Sequence, residues 1–298
     1  MLLFITSSYD GTADRIVDAY GKGVFRFNYD LWRHYELTFT SCGWKIVNPH
    51  NKLSISSDTL TSAFWWKPFV YSLEEDQYLQ EELKYIFRDI YGWCVDRGLA
   101  RGNHFTYHSV SGKSTILGKA KLYFSVPETL VTMGKVDIDV FRHRKVVVKS
   151  LATARTNDGN ILITTQVDVD SLDLNYPWCI QELIESDWDV TVFYCNKKSF
   201  AFKRNRSDLS GVDWRAHQSS DPFKKEWIPY PLSNDLQDRM IRLSEDLGVE
   251  FGRYDFLMRN DENDLVFLEL NAHGQWVFLD YFSEHGLMDH FIKWLRGL

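Results

Sequence analysis

The sequence predicts a mixed fold, α+β / α/β in class, with an α/β lobe at the N-terminus followed by sheet-rich lobes. Residues 1–27 run in the order strand, loop, helix and strand, which is typical of an α/β unit. Apolar residues recur at helical spacing between residues 73 and 97, which indicates the longest helix. From residue 146 onward, short apolar runs separated by turn residues predict strands.

The N-terminal part divides into short elements before the first long helix. Strands are predicted at 1–6 and 23–27 with a helix at 13–20 between them, followed by β-type runs at 35–40, 44–47, 52–55 and 63–66 and helices at 73–97 and 113–124. The second long helix is expected to stop before Pro127, because proline disfavours the helical conformation of the residue before it.

The C-terminal part is dominated by strands. They are predicted at 146–148, 161–167, 178–184, 190–194 and 200–203, with a turn at 157–160 and helices at 234–247 and 288–298. Gly248 is the expected end of the first of these helices. We place the boundary between an N-terminal domain, 1–112, and the remainder, 113–298.

Composition and charge exclude several classes of protein. The chain has 298 residues and a formal net charge of −7, which argues against a general nucleic-acid binder. Its four cysteines lie far apart, without the spacing of a zinc site, so we expect reduced thiols. The N-terminus lacks the basic region of a signal peptide, and no apolar run approaches the roughly 20 residues needed to cross a bilayer. We therefore expect a cytoplasmic protein that contacts neither nucleic acid nor membrane.

The strongest chemical signal lies in residues 255–276. Asp255 ends one apolar run, and Glu269 and Asn271 close another. Alternate residues of a strand share a face, so Glu269 and Asn271 project together, and a hairpin across residues 260–264 would bring Asp255 beside them. Three oxygen ligands on one face suit a hard cation such as Mg²⁺ shared with phosphates. The alternative is a polar, solvated sheet face.

Two further patterns are consistent with a nucleotide site. Lys149 follows three valines, where its ammonium could neutralise a phosphate or could reach solvent from the strand end. Gln181 and Glu182 could hold an adenine amine or ribose hydroxyls, or could line a solvated strand edge.

The chain also contains a cluster of basic residues and a motif that is similar to part of a phosphate-binding loop. Lys203, Arg204 and Arg206 could line a phosphate pocket or form a solvated loop. Gly112-Lys113-Ser114 is similar to the end of a P-loop, but the pattern requires glycine where this chain has Tyr107. We reject the P-loop and expect Gly112 to begin a helix.

Taken in order, these landmarks resemble those of the ATP-grasp superfamily, and in detail the graspetide ligases, the microviridin-type enzymes that crosslink ribosomal peptides. The resemblance spans nearly the whole chain. Its motifs are LLFITSSYDGTAD at the N-terminus, Trp65-Trp66-Lys67-Pro68, residues 126–132, Asp213-Trp214-Arg215, and Leu268 to Trp276. Where that family has two arginines before the proline, a proline after the asparagine and an arginine after Asp187-Trp188, this chain has Trp66-Lys67, Ala272 and Asp189. The last difference removes a positive charge near the nucleotide lobe.

The resemblance implies an ATP-grasp fold behind an N-terminal pre-ATP-grasp lobe, with a central lid at about 127–182 and a metal-binding lobe at about 183–298. It implies that Lys149 and Lys203 contact phosphates and that Gln181 and Glu182 lie near the adenine. It further implies that Arg215 faces the transferring phosphoryl group or the acyl intermediate, and that Arg215 and Lys203 are the catalytic residues. Asp255, Glu269 and Asn271 would hold Mg²⁺.

The implied activity is that of an ATP-dependent carboxylate ligase. It would convert acidic side chains of a ribosomal precursor peptide into acyl phosphates and close ω-ester or ω-amide crosslinks with Thr, Ser or Lys. The resemblance implies ATP and Mg²⁺ as cofactors. It implies a precursor peptide, with a leader and an acidic core, as the partner, and a homodimer as a possible assembly. Two alternatives stay open at this stage: a ligase that joins a free amino acid or small amine to a carboxylate, and a nucleotide-binding regulator without catalysis.

Overall fold

The computed structural model describes residues 1–67, 76–103, 112–134, 137–151, 163–209, 211–213, 226–259 and 264–298. The chain forms two compact units. The first combines Met1–Phe105 with His273–Leu298, and the second comprises Thr106–Ala272. The domain boundary predicted between residues 112 and 113 stays a prediction.

The first unit is built on a parallel sheet. Its described strands are Leu2–Thr6 (β1), Val24–Asn28 (β2), Ser62–Trp65 (β6) and Ala100–Arg101 (β7), and they lie in the order β2-β1-β6-β7. Every residue of β1 is buried, as is usual for the inner strand of a parallel sheet covered on both faces. The strands Glu36–Thr40 (β3), Gly43–Asn48 (β4) and Leu53–Ser56 (β5) form a separate antiparallel sheet.

Helices cover the parallel sheet. They are Gly11–Tyr20 (α1), Gln77–Asp96 (α2) and, from the C-terminal segment, Leu287–Leu295 (α5). The apolar stripe of α2, which includes Leu83 and Phe87, packs into the core around β1 and β2. The C-terminal helix belongs to this unit because the rings of Phe291 and Trp294 stack edge-on against Phe64 of β6. The last residues of the chain therefore complete the N-terminal core.

The second unit contains two antiparallel sheets. The central sheet has the order β10-β9-β11-β8, and the C-terminal sheet has the order β14-β13-β12-β15-β16. The strands of the central sheet are Thr129–Thr132 (β8), Val146–Lys149 (β9), Thr165–Val167 (β10) and Trp178–Glu182 (β11). Those of the C-terminal sheet are Trp188–Cys195 (β12), Lys198–Asn205 (β13), Ile228–Pro229 (β14), Phe251–Met258 (β15) and Leu265–Asn271 (β16).

Two helices, Lys113–Ala120 (α3) and Asn234–Leu247 (α4), cover one face of the C-terminal sheet. Leu243 of α4 and Phe267 of β16 belong to the same buried cluster, so this face of the sheet is apolar. Because side chains alternate across a strand, the intervening residues face the other way. That second face carries the polar residues of the candidate site.

Most predicted elements are confirmed, including the helix 234–247 and its left-handed end at Gly248, and the helix that begins after Gly112. Strands β7, β8 and β14 were not predicted, because they are short and their apolar content is low. The predicted turn at 157–160 and most of the hairpin connection after β15 lie outside the described residues. Among the helices that the structure describes, none has the length and apolar content needed to cross a membrane.

Candidate active site

The site begins with the pairing of β15 and β16. Asp255 lies directly opposite Glu269, and the register shifts between Asp255 and Phe256, so that Leu268 is an extra residue in β16. Tyr254, Phe256 and Phe267 point into the apolar cluster on the helix-covered face. The carboxylates of Asp255 and Glu269 are therefore directed to the opposite, polar face. The predicted hairpin that joins them is confirmed.

Asn271 completes this group. Its Nδ2 atom donates hydrogen bonds to Asp255 Oδ2 and to Glu269 Oε1, both at 3.1 Å. Thr191 on the neighbouring strand β12 donates from Oγ1 to Asp255 Oδ1 at 2.8 Å. The guanidinium of Arg253 binds Asp255 through Nε at 3.2 Å and Nη2 at 3.0 Å. The amide of Asn271 thus bridges two half-buried carboxylates, and the guanidinium of Arg253 binds one of them.

Two lysines bring positive charge to the same place. Lys113, in the first turn of α3, places Nζ 3.2 Å from Glu269 Oε2. Lys149 ends β9 of the central sheet, and burial lowers the pKa of its ammonium below the usual value, while Glu269 opposes that shift and Lys113 reinforces it. Bringing two ammonium groups to one carboxylate favours a ligand with several negative charges.

The central sheet forms the opposite wall. Lys149 pairs with Cys179 on β11, so Lys149, Cys179 and Gln181 share one face of this sheet. Gln181 is buried and donates from Nε2 to Thr129 Oγ1 at 3.0 Å. Glu182 accepts a hydrogen bond from the backbone N–H of Glu128 at 3.3 Å.

The two sheets of the second unit enclose a pocket with about 760 Å³ of empty space, part of it open to solvent. Its polar lining includes Lys149, Gln181, Glu182, Asp189, Arg206, Asp213, Arg253, Asp255 and Glu269. Apolar side chains, among them Val147, Ile184 and Leu257, line the rest. An apolar slot beside a charged end is suited to a nucleotide base and its phosphates.

Asp189, where the sequence lacks the arginine expected from the resemblance, lies in this pocket wall. It is buried and paired with Arg206, whose Nη1 atom is 2.5 Å from Asp189 Oδ1. Burial raises the pKa of Asp189 to about 6, although Arg206 counteracts the shift. A guanidinium therefore lies beside position 189, where it is paired with the Asp189 carboxylate.

Lys203 is not brought together with these residues. It pairs with Val190, and its Nζ atom lies 4.4 Å from the ring centre of Trp188 and 5.7 Å from that of Tyr230. Trp188 and Tyr230 pack against the apolar cluster on the helix-covered face, whereas Asp255 faces the other side. Arg215, the other predicted catalytic residue, lies outside the described residues.

Three basic residues of the site were missed or left unresolved by the sequence reasoning. Lys113 belongs to the incomplete P-loop pattern, yet it begins a helix beside Glu269. Arg253, two residues before Asp255, shares its strand face and could have been found by that spacing. Arg206 was recognised only as one member of a basic cluster.

The donor set fits a hard divalent cation. Within the part of the chain that the structure describes, no group of three or more His, Cys, Asp and Glu side chains could hold a metal. Asp255 and Glu269 therefore need Asn271 as a third ligand. The amide already bridges both carboxylates, and a rotation of its terminal group would direct the carbonyl oxygen to the same place. Carboxylate and amide oxygens are the ligands that Mg²⁺ prefers.

In the first unit, two of the motifs that carried the resemblance meet. Asp10 is buried, accepts a hydrogen bond from the Ala13 N–H at 2.9 Å and forms an ion pair with Lys67. Gln275 donates from Nε2 to Asp10 Oδ2 at 3.3 Å. The rings of Trp66 and His273 are in edge contact, with centroids 5.7 Å apart. These contacts tie the segment after the candidate metal site to the core of the first unit.

No family model matches this sequence, and no curated protein matches it. Solved structures do. The macrocyclase MdnC from Microcystis aeruginosa MRC, bound with the precursor peptide MdnA, has a TM-score of 0.81 at 21% identity and covers 100% of this chain and 99% of its own. An ATP-grasp ligase of Chryseobacterium gregarium, RiPP-associated and in complex with ADP and a leader and core peptide, has a TM-score of 0.82 at 21% identity, covering 99% and 96%.

A third similar structure is the ATP-grasp ligase PsnB, complexed with a minimal precursor, Mg and ADP. Its TM-score is 0.74 at 14% identity, and it covers 99% of this chain and 96% of its own. The chain thus has the ATP-grasp fold over its full length. The fold class predicted from the sequence is confirmed, and so is the resemblance to the graspetide ligases at the level of the fold.

Proposed function

We propose that the protein is an ATP-dependent carboxylate ligase that forms intramolecular ester or amide bonds in a ribosomally made precursor peptide. The observation that carries this proposal is the convergence of Asp255, Glu269 and Asn271 with Lys113 and Lys149 at one end of the pocket. The phosphates of a nucleotide could contact the ammonium groups of the lysines and a bound cation there at the same time.

Nucleotide binding is assigned to both sheets of the second unit. The base would occupy the apolar part of the pocket beside Gln181, Glu182 and Ile184, and the phosphates would lie toward Lys149 and Lys113. Asp255, Glu269 and Asn271 would hold Mg²⁺, which neutralises charge on the phosphates when it is bound. In support of this assignment, similar structures contain ADP, and one contains Mg with ADP.

The site needs mainly to position the reacting groups and to stabilise the charge that develops on them. A carboxylate oxygen of the peptide attacks the γ-phosphorus of ATP, the bond to the β-phosphate oxygen breaks, and ADP leaves. A hydroxyl or amine of the same peptide then attacks the acyl carbon. The carbon–oxygen bond breaks, phosphate leaves with that oxygen, and the nucleophile loses a proton. Lys113 and Lys149 would stabilise the phosphoryl oxygens.

The peptide substrate is inferred from the fold neighbours. MdnC is bound with a precursor peptide, and the Chryseobacterium gregarium ligase with a leader and a core peptide. The similarity to both extends over nearly the whole of this chain. Arg215 keeps its predicted role as a proposal, whereas Lys203 lies on the helix-covered face of the sheet and is given no role in the site.

Intact-mass spectrometry tests this function. The protein is incubated with Mg²⁺, ATP and acidic, Thr- and Lys-containing precursor peptides encoded beside its gene. We expect the peptide to lose one water per bond formed. Glu269→Ala should abolish the loss, and Glu245→Ala, which removes an exposed carboxylate of α4, should not. A gain of mass equal to an added amine would instead identify a ligase for a separate acceptor. A peptide of unchanged mass with bound ATP would contradict the proposal.

A further inference from the structure

The Asp189–Arg206 pair occupies a position that the proposed metal and nucleotide residues leave unexplained. Both side chains line the pocket, and both are largely buried, with 9% of the Asp189 side chain and 13% of the Arg206 side chain exposed. A buried ion pair contributes little net stability, because desolvation offsets most of the attraction. Its placement in the wall of a ligand pocket therefore points to a role in the chemistry of that pocket.

Arg206 is held firmly from both its backbone and its side chain. Its backbone N–H donates to the carbonyl of Asp187 at 2.9 Å, which anchors the residue at the end of the β12–β13 hairpin. Its Nη1 atom donates to Asp189 Oδ1 at 2.5 Å, and its Nη2 atom donates to the carbonyl of Val212 at 3.0 Å. A guanidinium has five N–H donors, so these two bonds leave donors available for a ligand in the pocket.

The neighbouring guanidiniums are engaged elsewhere. Arg253 forms two hydrogen bonds to Asp255, and Arg204 pairs with Asp208 and Glu226, both at 3.4 Å. Arg206 is the pocket-lining arginine whose carboxylate partner is not one of the candidate metal ligands. Its charge can therefore serve an oxyanion without withdrawing a partner from Asp255.

We propose that Arg206 binds an oxyanion at the reacting end of the pocket and that Asp189 is the residue that positions it. The oxyanion is either the phosphoryl group in transfer or the carboxylate of the peptide, because both present the planar pair of oxygens that a guanidinium matches. Asp189 fixes the orientation of the guanidinium across the two strands. This inference rests on the proposed function and names the residues that would neutralise charge within it.

The first test compares nucleotide binding with turnover, and it uses wild-type protein already shown to crosslink peptide. Affinities for ADP and for AMPPNP are measured by calorimetry, and kcat and KM by peptide-dependent phosphate release. Arg206→Met should lower kcat by roughly 100-fold, as the loss of one oxyanion donor does in other enzymes. Arg259→Met, which removes a guanidinium from the exposed pair with Asp264, is the matched control and should match wild type.

The identity of the oxyanion determines whether the nucleotide affinities or the KM for the peptide change. If Arg206 binds the phosphoryl group, the Arg206→Met protein should lose AMPPNP affinity roughly tenfold and keep its ADP affinity. If Arg206 binds the peptide carboxylate, both nucleotide affinities stay at wild-type values and KM for the peptide rises. Unchanged kcat, KM and AMPPNP affinity would overturn the proposal. Failure of the proposed function itself would give a different result, because the wild-type protein would then show no peptide-dependent phosphate release.

A second set of variants isolates the role of Asp189. Asp189→Asn leaves the charge of Arg206 in place but weakens its orientation, so kcat should fall roughly tenfold while AMPPNP affinity stays equal or increases. Arg206→Lys should not restore kcat, because an ammonium lacks the guanidinium fork. The exchange D189R/R206D should recover part of the lost activity by supplying a guanidinium from the other strand. If Asp189→Asn changes only the melting temperature, Asp189 is structural and the positioning role is wrong.

Discussion

Asn271 bridges Asp255 and Glu269, with its Nδ2 atom 3.1 Å from an oxygen of each carboxylate. The amide thus occupies the place between two like charges that a divalent cation would otherwise take. Without that amide the two carboxylates, which face each other across β15 and β16, would repel. The same residue therefore serves the unliganded protein as a bridging donor and is available to the liganded protein as an oxygen ligand.

Replacement of Asn271 is predicted to weaken the response to Mg²⁺. Asn271→Ala removes one of three candidate ligands, so the Mg²⁺ concentration needed for half-maximal ATP binding should rise by roughly 10- to 100-fold. Calorimetric titration of AMPPNP at a series of Mg²⁺ concentrations measures this shift. Asn205→Ala, at the exposed end of β13, is the control and should leave the curve unchanged. Coincident curves for Asn271→Ala and wild type would remove Asn271 from the metal site.

Lys113 is predicted to contribute to nucleotide binding. Lys113→Met removes the ammonium 3.2 Å from Glu269, and the loss of a charge-assisted contact to phosphate should weaken ADP binding by about tenfold or more. Calorimetry with ADP and Mg²⁺ provides the measurement. Lys121→Met alters an exposed lysine directly after the same helix, so it should bind ADP as wild type does. Equal affinities in the two variants would assign Lys113 to a structural role.

Asp189 predicts an unusual dependence of stability on pH. Its pKa is raised from 3.8 to about 6 by burial, with Arg206 and Arg204 lowering it and Asp255 raising it. The folded state therefore binds the proton more tightly than the unfolded state, so its stabilising contribution is present below pH 3.8 and is lost as pH rises to 6. A rise in pKa from 3.8 to about 6 corresponds to about 3 kcal/mol in the free energy of unfolding.

Denaturant unfolding without Mg²⁺ and nucleotide measures this effect. Relative to Asp189→Asn, the free energy of unfolding of the wild type should fall between pH 4 and pH 6 and then stay level. Asp189→Asn should thus be more stable than wild type at pH 7, although it is predicted to be less active. A difference between the two proteins that does not vary with pH would show that Asp189 has an ordinary pKa.

Asp10 predicts the opposite dependence. Burial alone would raise its pKa, but hydrogen bonds from Lys67 and from the Ala13 N–H, with the nearby charge of Lys67, hold the pKa below 3.8. Ionised Asp10 therefore stabilises the fold above pH 3.8, and this contribution is lost as pH falls through the lowered pKa.

Variants separate the two functions of Asp10. Asp10→Ala loses the helix cap and the ion pair and should cost about 2 kcal/mol, whereas Asp10→Asn keeps a capping oxygen and should cost less. Urea unfolding at pH 7 gives both values. If the two variants prove equally stable, the cap contributes nothing and the ion pair with Lys67 accounts for the whole effect.

The sequence predicted the elements of this site more successfully than their orientation. The hairpin of β15 and β16 followed from two apolar runs, and the spacing of Glu269 and Asn271 placed them on one face. The bulge at Leu268 does not follow from the sequence, because the continuous apolar run before Glu269 hides the change of alternation that puts Phe267 and Glu269 on opposite faces. Lys203 and Arg204 are neighbours on β13, and only the packing of Lys203 against Trp188 reveals which of them faces the helices.

Charge at a distance in sequence was equally hidden. Asp189 alone indicates a lost positive charge, yet the pairing of β12 and β13 brings the guanidinium of Arg206, 17 positions further along the chain, to its carboxylate. Lys113 was excluded because a glycine-rich loop was absent, although its helix brings it to Glu269 without one. Both cases depend on register and packing, which determine which side chains meet.

Activation of the peptide as an acyl phosphate is tested by following the oxygen of its carboxylate. Precursor peptide whose Asp and Glu side chains carry ¹⁸O is incubated with the protein, ATP and Mg²⁺, and the released phosphate is analysed by mass spectrometry. Activation as an acyl phosphate predicts that one ¹⁸O atom enters phosphate for each bond closed, and that Glu269→Ala yields none. Bond closure with phosphate free of ¹⁸O would contradict the proposed activation of the carboxylate.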